Sequence, residues 1–276
     1  MGAGTPLTYA IGDIHGRLDL LTTLLAQIER HRAGRDRTIV FLGDYIDRGP
    51  ESAGVVATIR RLQALEPNAI VCLKGNHEDL MLKAYRDESK VDLWVMNGGY
   101  ETMASFGPDV PAEVLRWTES LPTVHEDAHR FYVHAGFRPG RPGPDPSEHV
   151  RLWIREPFLS RDFDFGKHVV HGHTPVRTGQ PDQRPFRTNL DTGAVFGGVL
   201  TAGVFNHDQA HAIEFLQARE AKPSDSARLR SGRSGEAMNS PQLPLSGENS
   251  VKKKSQDEAP PYHNSIRRAL VKAPTK

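Results

Sequence analysis

Three short polar motifs, each directly after an apolar run, carry side chains that bind metal ions. They are Gly-Asp-Ile-His-Gly at 12–16, Gly-Asp-Tyr-Ile-Asp-Arg-Gly at 43–49 and Gly-Asn-His-Glu at 75–78. Carboxylate, imidazole and amide groups together are the ligands of hard and borderline divalent cations. Asp13 and His15 can reach one ion from a single turn, Asp44 can bridge two ions, and Asn76 offers a neutral oxygen to the second. The motifs therefore predict a site for two divalent metal ions.

Two later histidines fit the same site. His134 and His173 each follow a strand-like run and stand beside a glycine, which leaves the backbone room to turn near an ion. Both are predicted as further ligands of the second ion. The single cysteine, Cys72, excludes a zinc site built from cysteines and an intramolecular disulfide.

The remaining polar residues of the motifs can act on a phosphate ester. Two metal ions about 3.5–4 Å apart clamp a phosphoryl group and generate hydroxide from water. Arg48 can hold phosphate oxygens in a bidentate manner. His77 can protonate a leaving alkoxide, and Asp47 can orient and charge that imidazole. Because the sequence has no Walker loop or nucleotide-binding glycine motif, it predicts hydrolysis by metal-activated water rather than transfer from ATP.

Strands and helices of the first half must position these motifs. Apolar runs at 9–11, 38–42 and 69–73 predict buried strands. Apolar residues at spacings of three and four predict a helix at 18–30, Pro50 is a start signal for a second helix at 52–65, and a third helix is predicted at 78–86. Asp13 and Asp44 are 31 residues apart, and Asp44 and Asn76 are 32 apart, which is the size of a βαβ unit. Since ligands bind at the carboxyl ends of parallel strands, the motifs are predicted to converge at one edge of one sheet.

The second half predicts a different arrangement. Short strands are predicted at 131–134, 168–171, 199–201 and 210–215, and alternation in the last two predicts antiparallel pairing. Residues 89–125 indicate an insertion of short helices beside the site, and 137–150 a surface loop rich in proline and glycine. The predicted domains are a catalytic domain at 1–217 and a basic, disordered tail at 218–276.

Length and composition limit the classes of protein to which this chain can belong. The chain has 276 residues with 37% hydrophobic content, enough for one large α/β domain, and a mean hydropathy of −0.51. It lacks an apolar signal core and a membrane-length apolar run, so a cytoplasmic protein without membrane contact is expected. Nucleic acid is not expected as a partner, since aromatics barely interleave with the basic residues of the tail.

The order and spacing of the three motifs resemble the phosphoprotein phosphatase family of metallophosphoesterases, in particular its bacterial and phage lambda members. Further segments agree: His-Ala-Gly at 134–136, Leu-Trp-Ile-Arg-Glu at 152–156, Gly-His-Thr-Pro at 172–175 and Leu-Asp-Thr-Gly-Ala-Val-Phe at 190–196. The resemblance spans about residues 8–216. It implies a calcineurin-like αββα four-layer sandwich with a dinuclear metal centre in a single catalytic domain.

The resemblance also implies roles for individual residues. One ion would be bound by Asp13, His15 and Asp44, and the other by Asp44, Asn76, His134 and His173. Arg48 and Arg155 would bind phosphate, and His77 with Asp47 would be the general acid. Manganese is the first choice of metal, with iron or zinc as alternatives.

Three further residues near these segments have expected structural roles. His171 is expected to pack or form a hydrogen bond behind the site, with contact to the site as the alternative. Asp191 is expected to have a turn role or to support a metal ligand. Trp153 is expected to pack so that it fixes Arg155, rather than to form a platform for the substrate.

Three functions are compatible with the motifs. The first is a protein serine/threonine phosphatase that acts on a phosphoprotein or phosphopeptide by attack of a hydroxide held by both metal ions. The second is a symmetrical bis(5'-nucleosyl)-tetraphosphatase, which belongs to a neighbouring branch, or another nucleotide-directed phosphoesterase. The third is a binding protein without activity. Asp47-Arg48-Gly49 and Glu78 favour the first, and the complete set of ligands, acid and arginines argues against the third.

Overall fold

Five strands form the first sheet of the computed structural model, which describes residues 5–107 and 109–220. In spatial order they are β10 (Glu214–Ala218), β9 (Leu200–Phe205), β1 (Leu7–Ile11), β2 (Arg37–Phe41) and β3 (Ile70–Cys72). Strands β1, β2 and β3 are parallel, whereas β9 runs antiparallel to both β1 and β10. The three polar motifs therefore follow neighbouring parallel strands, as predicted.

The second sheet is also mixed. Its spatial order is β4 (Val124–Glu126), β5 (Arg130–Val133), β6 (His168–His171), β8 (Arg187–Asn189) and β7 (Asp182–Gln183). The inner strands β5, β6 and β8 are parallel, and the edge strands β4 and β7 are antiparallel to them. The sequence did not predict β4, β7 and β8, because two or three residues are too few for an alternating pattern to be visible.

Successive side chains of a strand point to opposite faces of its sheet, so apolar side chains form a core on each face. Ile39 and Phe41 of β2 pack on the helical side, whereas Val40 packs between the sheets with Tyr132 and Val170 of the second sheet. The outer face of the second sheet is covered by phenylalanines of a largely irregular segment, among them Phe158, Phe163 and Phe165. The predicted four layers are confirmed, with the fourth layer mostly irregular rather than helical.

Three helices cover the first sheet: α1 (Leu18–Arg32), α2 (Ser52–Leu65) and α3 (Asn76–Arg86). The first two begin where predicted, but α3 begins at Asn76 and not at Glu78. Gly75 is the N-cap residue, and the Glu78 side chain accepts the N–H of Gly75, which is the half of a capping box that a glutamate supplies. Asn76 and His77 therefore lie in the first helical turn, where their positions are fixed.

The segment between α3 and β4 consists of short helices, as predicted. They are a 3₁₀ turn (Glu88–Lys90), α4 (Val91–Trp94), a π turn (Val95–Gly99), α5 (Tyr100–Phe106) and α6 (Ala112–Ser120). Trp94 of α4 and Met103 of α5 join the core on the helical side of the first sheet. This segment is therefore packed beside the loops that carry the polar motifs.

Three predictions in the second half need correction. The last strand is Glu214–Ala218 and not 210–215, because Asn206 closes a turn with the N–H groups of Asp208 and Gln209. Strand β9 extends to Phe205, beyond the predicted 199–201. Helix α7 (Glu148–Trp153) begins inside the predicted loop at 137–150, with the Ser147 hydroxyl as its cap. The antiparallel pairing of the last two strands is confirmed.

Beyond residue 220 the predicted disordered tail lies outside the described residues, so it stays a prediction. Among the helices of the described part of the chain, none has the length and apolar character needed to cross a membrane.

Candidate active site

The predicted ligands meet where the parallel strands of both sheets end. Asp13, Asp44 and Asn76 follow β1, β2 and β3, while His134 and His173 follow β5 and β6. All five side chains are buried, and so is His15. The structure thus brings together six ligand side chains that are spread over 160 residues of sequence.

Asp44 lies at the centre of the site. Its Oδ2 is 3.5 Å from Nε2 of His15 and 3.4 Å from Nε2 of His134. Two groups of possible ligand atoms share this carboxylate: one adds His15 and His77, the other adds His134 and His173. A carboxylate common to both groups can bridge two ions.

Asn76 belongs to the second group by geometry. Its Oδ1 lies 2.8 Å from Nε2 of His134 and 2.8 Å from Nδ1 of His173. Three neutral ligand atoms therefore converge on the side of Asp44 that faces the second sheet.

The hydrogen bonds of the histidines suit metal binding. Nδ1 of His15 lies 2.8 Å from the carbonyl oxygen of Ile46, and Nδ1 of His134 lies 3.0 Å from that of Leu42. If Nδ1 donates to each carbonyl, the lone pair of Nε2 faces Asp44. Burial lowers the pKa of His15 well below its usual value and that of His134 to about 3, so both imidazoles are neutral, the form that binds metal.

Asp13 is not part of the two groups of close ligand atoms, and what it adds to the site is a carboxylate charge. Both of its carboxylate oxygens accept the N–H of His173 at 3.1 Å. Burial, Asp191 and Asp44, in that order, raise the pKa of Asp13 well above its usual value. Buried carboxylates in contact are costly without cations. Together with the neutral imidazoles, they fit a pair of divalent ions.

Backbone strain is concentrated in the site. Six non-glycine residues of the described chain have positive φ, and five of them are His15, Asp44, Asp47, Arg48 and His173. Such conformations persist only where the surrounding structure imposes them, and they cluster at functional sites. Two glycines let side chains of the site lie close to the backbone: a Cβ atom at Gly75 would clash with Asp44, and a Cβ atom at Gly172 would clash with Asp13.

His77 and Asp47 form a buried pair at the edge of the metal-ligand cluster. Nδ1 of His77 lies 2.7 Å from Oδ2 of Asp47, while its Nε2 is 4.0 Å from Oδ2 of Asp44. Asp47 also accepts hydrogen bonds from the indole N–H of Trp94 at 3.0 Å and from the hydroxyl of Thr102 at 2.6 Å. Burial raises the pKa of Asp47 to about 8, against the opposing effect of Thr102 and Trp94.

The two predicted arginines differ in their surroundings. Arg48 is half-buried, and its Nη1 lies 2.6 Å from Nε2 of His15. Arg155 is exposed, and its side chain has no hydrogen bond or ion pair within the described residues. Its positive charge nevertheless contributes to lowering the pKa of His173. Both cations are therefore near the cluster, and Arg155 is open to solvent.

Residues 7–198 match the calcineurin-like phosphoesterase family, and this range includes every residue of the site. The chain belongs to this family. Members depend on a dinuclear metal centre, and the His/Asp groups around Asp44 are suited to one. The predicted resemblance to metallophosphoesterases is thereby confirmed, as is the fold.

Relatives of this phosphoesterase have two different activities. Serine/threonine-protein phosphatase 1 of Salmonella typhimurium is 32% identical over 203 residues, which cover 70% of this chain and 89% of that protein. The asymmetrical bis(5'-nucleosyl)-tetraphosphatase PrpE of Anoxybacillus flavithermus is 29% identical over 222 residues, covering 70% of this chain and 87% of that protein.

A solved structure is similar as well. The crystal structure of a candidate diadenosine tetraphosphatase, 26% identical in sequence, has a TM-score of 0.58 over 80% of this chain and 97% of that one. These similarities establish a phosphoesterase hydrolase without specifying its substrate.

The sequence did not reveal several residues that support the site of this phosphoesterase. The carboxylate of Glu78 accepts the N–H groups of Asp44, Tyr45 and Gly75, each at 2.8 Å, and so joins the second and third motifs. Its place three residues after Gly75 is the one local sign of this role, because a glutamate there can accept the N–H of the N-cap residue. Trp94 and Thr102 gave no clue, since their contacts with Asp47 are tertiary.

Three neighbouring residues of this phosphoesterase were expected to have structural roles. The ring of His171 packs on Phe158 with centroids 4.9 Å apart, behind the site as expected. Asp191 accepts the N–H of Gly193 in a turn, and its charge also raises the pKa of Asp13. Trp153 packs against the core as expected, and its ring contacts His173 and stacks on His149; that it fixes Arg155 stays a prediction.

Proposed function

We propose that this phosphoesterase is a protein serine/threonine phosphatase that hydrolyses phosphate monoesters of phosphoproteins or phosphopeptides. The observation that carries the proposal is the buried His77–Asp47 pair beside Asp44. A serine or threonine alkoxide is a poor leaving group and needs a proton as the ester bond breaks. The phosphate leaving group of a polyphosphate needs no such proton, so an oriented acid is most useful on an alkyl ester.

Two divalent ions are the proposed cofactors, with manganese as the first choice. One would be held by Asp13, His15 and Asp44, and the other by Asp44, Asn76, His134 and His173. When bound, such ions polarise the phosphoryl group and activate water for attack. The residues proposed for each ion are buried, which keeps their donor atoms away from competing solvent.

Arg48 and Arg155 are proposed to bind the phosphate oxygens. A guanidinium group presents paired N–H donors that match two oxygens of a phosphate. Arg48 is held in a strained left-handed conformation, and its backbone N–H donates to the carbonyl of Gly98 at 3.0 Å. That anchoring keeps one phosphate-binding group fixed, while the exposed Arg155 can approach from solvent.

His77 is proposed as the general acid, although its nitrogen also lies within ligand distance of His15 and Asp44. Its Nδ1 is engaged by Asp47, which leaves Nε2 to carry and donate the proton. The Asp47 carboxylate stabilises the positive imidazolium that forms before donation. Trp94 and Thr102 keep Asp47 in place for this role.

A second candidate is hydrolysis of dinucleoside polyphosphates, which the similarity to a bis(5'-nucleosyl)-tetraphosphatase favours. Purified full-length protein supplied with manganese distinguishes the two. We expect a higher kcat/KM for phosphate release from a phosphoserine peptide than for nucleotide release from diadenosine tetraphosphate. Faster cleavage of the dinucleotide would reject the first proposal in favour of the second.

A further inference from the structure

Phe196 is a large apolar side chain that remains exposed next to the proposed phosphate-binding arginine. Its side chain is 63% exposed, and its ring centroid lies 5.5 Å from Cζ of Arg48. Isolated exposed apolar residues are common on protein surfaces and need no explanation. Here the position matters, because a substrate whose phosphate is bound by Arg48 passes close to this ring.

The turn that carries Phe196 is tightly held. Phe196 ends a 3₁₀ turn (Ala194–Phe196) that lies between Gly193 and Gly197, both with φ in the left-handed region. The N–H of Phe196 donates to the carbonyl of Gly193 at 2.9 Å. Arg17 donates from Nη1 to the carbonyl of Ala194 at 3.0 Å. The exposure of Phe196 therefore results from a fixed backbone and not from a loose loop.

A second exposed apolar residue lies in a segment whose backbone contacts the same arginine. Met96 is 78% exposed and belongs to the π turn whose Gly98 accepts the N–H of Arg48. Methionine adapts its shape to varied apolar partners. Two chain segments far apart in sequence thus approach Arg48, and each of them carries an exposed apolar residue.

We infer that Phe196 is a specificity-determining residue that contacts an apolar side chain adjacent to the phosphorylated serine or threonine of a peptide substrate. This inference rests on the proposed function. A nucleobase could also stack on a phenylalanine, but its polyphosphate chain carries charge along its length and needs cations there. Arg48, the cation beside the ring, is proposed to bind the phosphate group of the ester itself. Arg17, which contacts the backbone of the turn, is already paired with Asp19 at 2.7 Å. The turn therefore offers a substrate apolar surface rather than positive charge.

The test uses full-length protein with manganese and pairs of phosphoserine peptides. Within each pair, one position next to the phosphoserine is leucine or glycine, and the positions are varied in turn. Wild-type protein is expected to prefer leucine at one position by about tenfold in kcat/KM, a typical discrimination for an apolar contact. Phe196→Ala should remove most of this preference, and Phe196→Leu should keep a large part of it, since leucine retains apolar surface.

Leu65→Ala is the matched control. Leu65 is 68% exposed at the end of α2, away from the motif loops, and its replacement should leave the leucine preference unchanged. Thermal unfolding of each variant verifies folding, which an exposed side chain should not affect.

The outcomes separate the two proposals. Loss of the leucine preference in Phe196→Ala alone supports the inference. Equal losses on leucine and glycine peptides would overturn it, because Phe196 would then act only by positioning Arg48. Absence of any leucine preference in the wild type would overturn it too. Preferential cleavage of diadenosine tetraphosphate by the wild type would instead reject the proposed function itself, whatever the variants do.

Discussion

Nδ1 of His77 and Oδ2 of Asp47 lie 2.7 Å apart in a buried hydrogen bond, although 30 residues separate them in sequence. The second oxygen of Asp47 accepts the hydroxyl of Thr102, and the indole of Trp94 reaches both oxygens. The proposed acid is thus held in place by the inserted helices between α3 and β4. These helices would therefore support the proposed acid, even though they contain none of the proposed metal ligands.

Replacing His77 with asparagine removes the proposed proton donor. His77→Asn should lower kcat on a phosphoserine peptide by about 100- to 10,000-fold, the usual contribution of a general acid. Loss on p-nitrophenyl phosphate should be much smaller, because a phenolate leaves with little need for protonation. Metal content of the purified variant should match the wild type. Similar losses on both substrates would contradict the acid role. The exposed His207 provides the control variant His207→Asn, which should behave as wild type.

Thr102 supports Asp47 through two hydrogen bonds. Its hydroxyl donates to Oδ1 of Asp47 at 2.6 Å and accepts the N–H of Asp47 at 2.8 Å. Thr102→Val keeps the shape but leaves both groups buried without this partner, which should lower the free energy of unfolding by about 1–3 kcal/mol. Denaturant unfolding measures the loss, and kcat on phosphopeptide should fall with it.

Thr23 is a suitable control because its hydroxyl bonds a carbonyl on the exposed face of α1. Thr23→Val should change the unfolding free energy and kcat very little. If Thr102→Val were as stable and active as Thr23→Val, the support of Asp47 by Thr102 would be refuted.

Glu78 joins two motif loops through three N–H groups. In Glu78→Gln the amide keeps one oxygen, but its NH₂ group must face N–H donors that the carboxylate accepted. The unfolding free energy should fall by about 2–3 kcal/mol, in the range for hydrogen bonds to a charged group. Manganese retention during dialysis should also weaken, because Asp44 loses its backbone anchor. Glu113→Gln, on the exposed face of α6, should show neither effect; loss of stability with unchanged metal retention would limit Glu78 to folding.

Asp127 makes stability depend on pH outside the active site. Burial opposes its ionisation, but hydrogen bonds from Arg130, the His129 N–H and Tyr132 lower the pKa of Asp127 below its usual value. A lowered pKa in the folded state stabilises the protein above the unfolded pKa of about 3.9, and this stability is lost as pH falls through the folded value. Asp127→Asn should therefore be less stable at neutral pH.

Urea midpoints of wild type and Asp127→Asn, measured from about pH 7 to about pH 3, check this prediction. The difference between the two proteins should shrink as the pH drops below the unfolded pKa. A constant difference across the range would show that the carboxylate's charge is not the source. Asp208→Asn, on an exposed turn, serves as control.

Local sequence patterns were sufficient to predict the elements that carry the motifs. The runs before Asp13 and Asp44 are long enough, and rich enough in β-branched and aromatic residues, to specify strands. The start of α3 at Asn76 was missed because a Gly-Asn-His start lacks an ordinary capping side chain, and the glutamate three residues later supplies the cap. The very short strand β8 depends on pairing with β6, and β7 depends on pairing with β8, which no local pattern expresses.

For the site, the residue types were predictable but their supports were not. His134 and His173 could be proposed from glycines beside strand ends, whereas the contact between Trp94 and Asp47 spans 47 residues and arises only on folding. The left-handed backbone of Asp44 and Arg48 is likewise imposed by the surrounding structure. Residue type reveals donor atoms, while tertiary packing determines where they point.

The apolar layer between the two sheets has a consequence for metal exchange. Asp44 and Asn76 follow strands of the first sheet, and His134 and His173 follow strands of the second. The proposed second ion would therefore link the two sheets next to the apolar layer formed by Val40, Tyr132 and Val170. A motion that separates the two sheets would move the residues proposed to hold this ion away from one another. Ion release should therefore track the opening of the sandwich, and the loaded enzyme should resist that opening in proportion to how tightly it holds its metal.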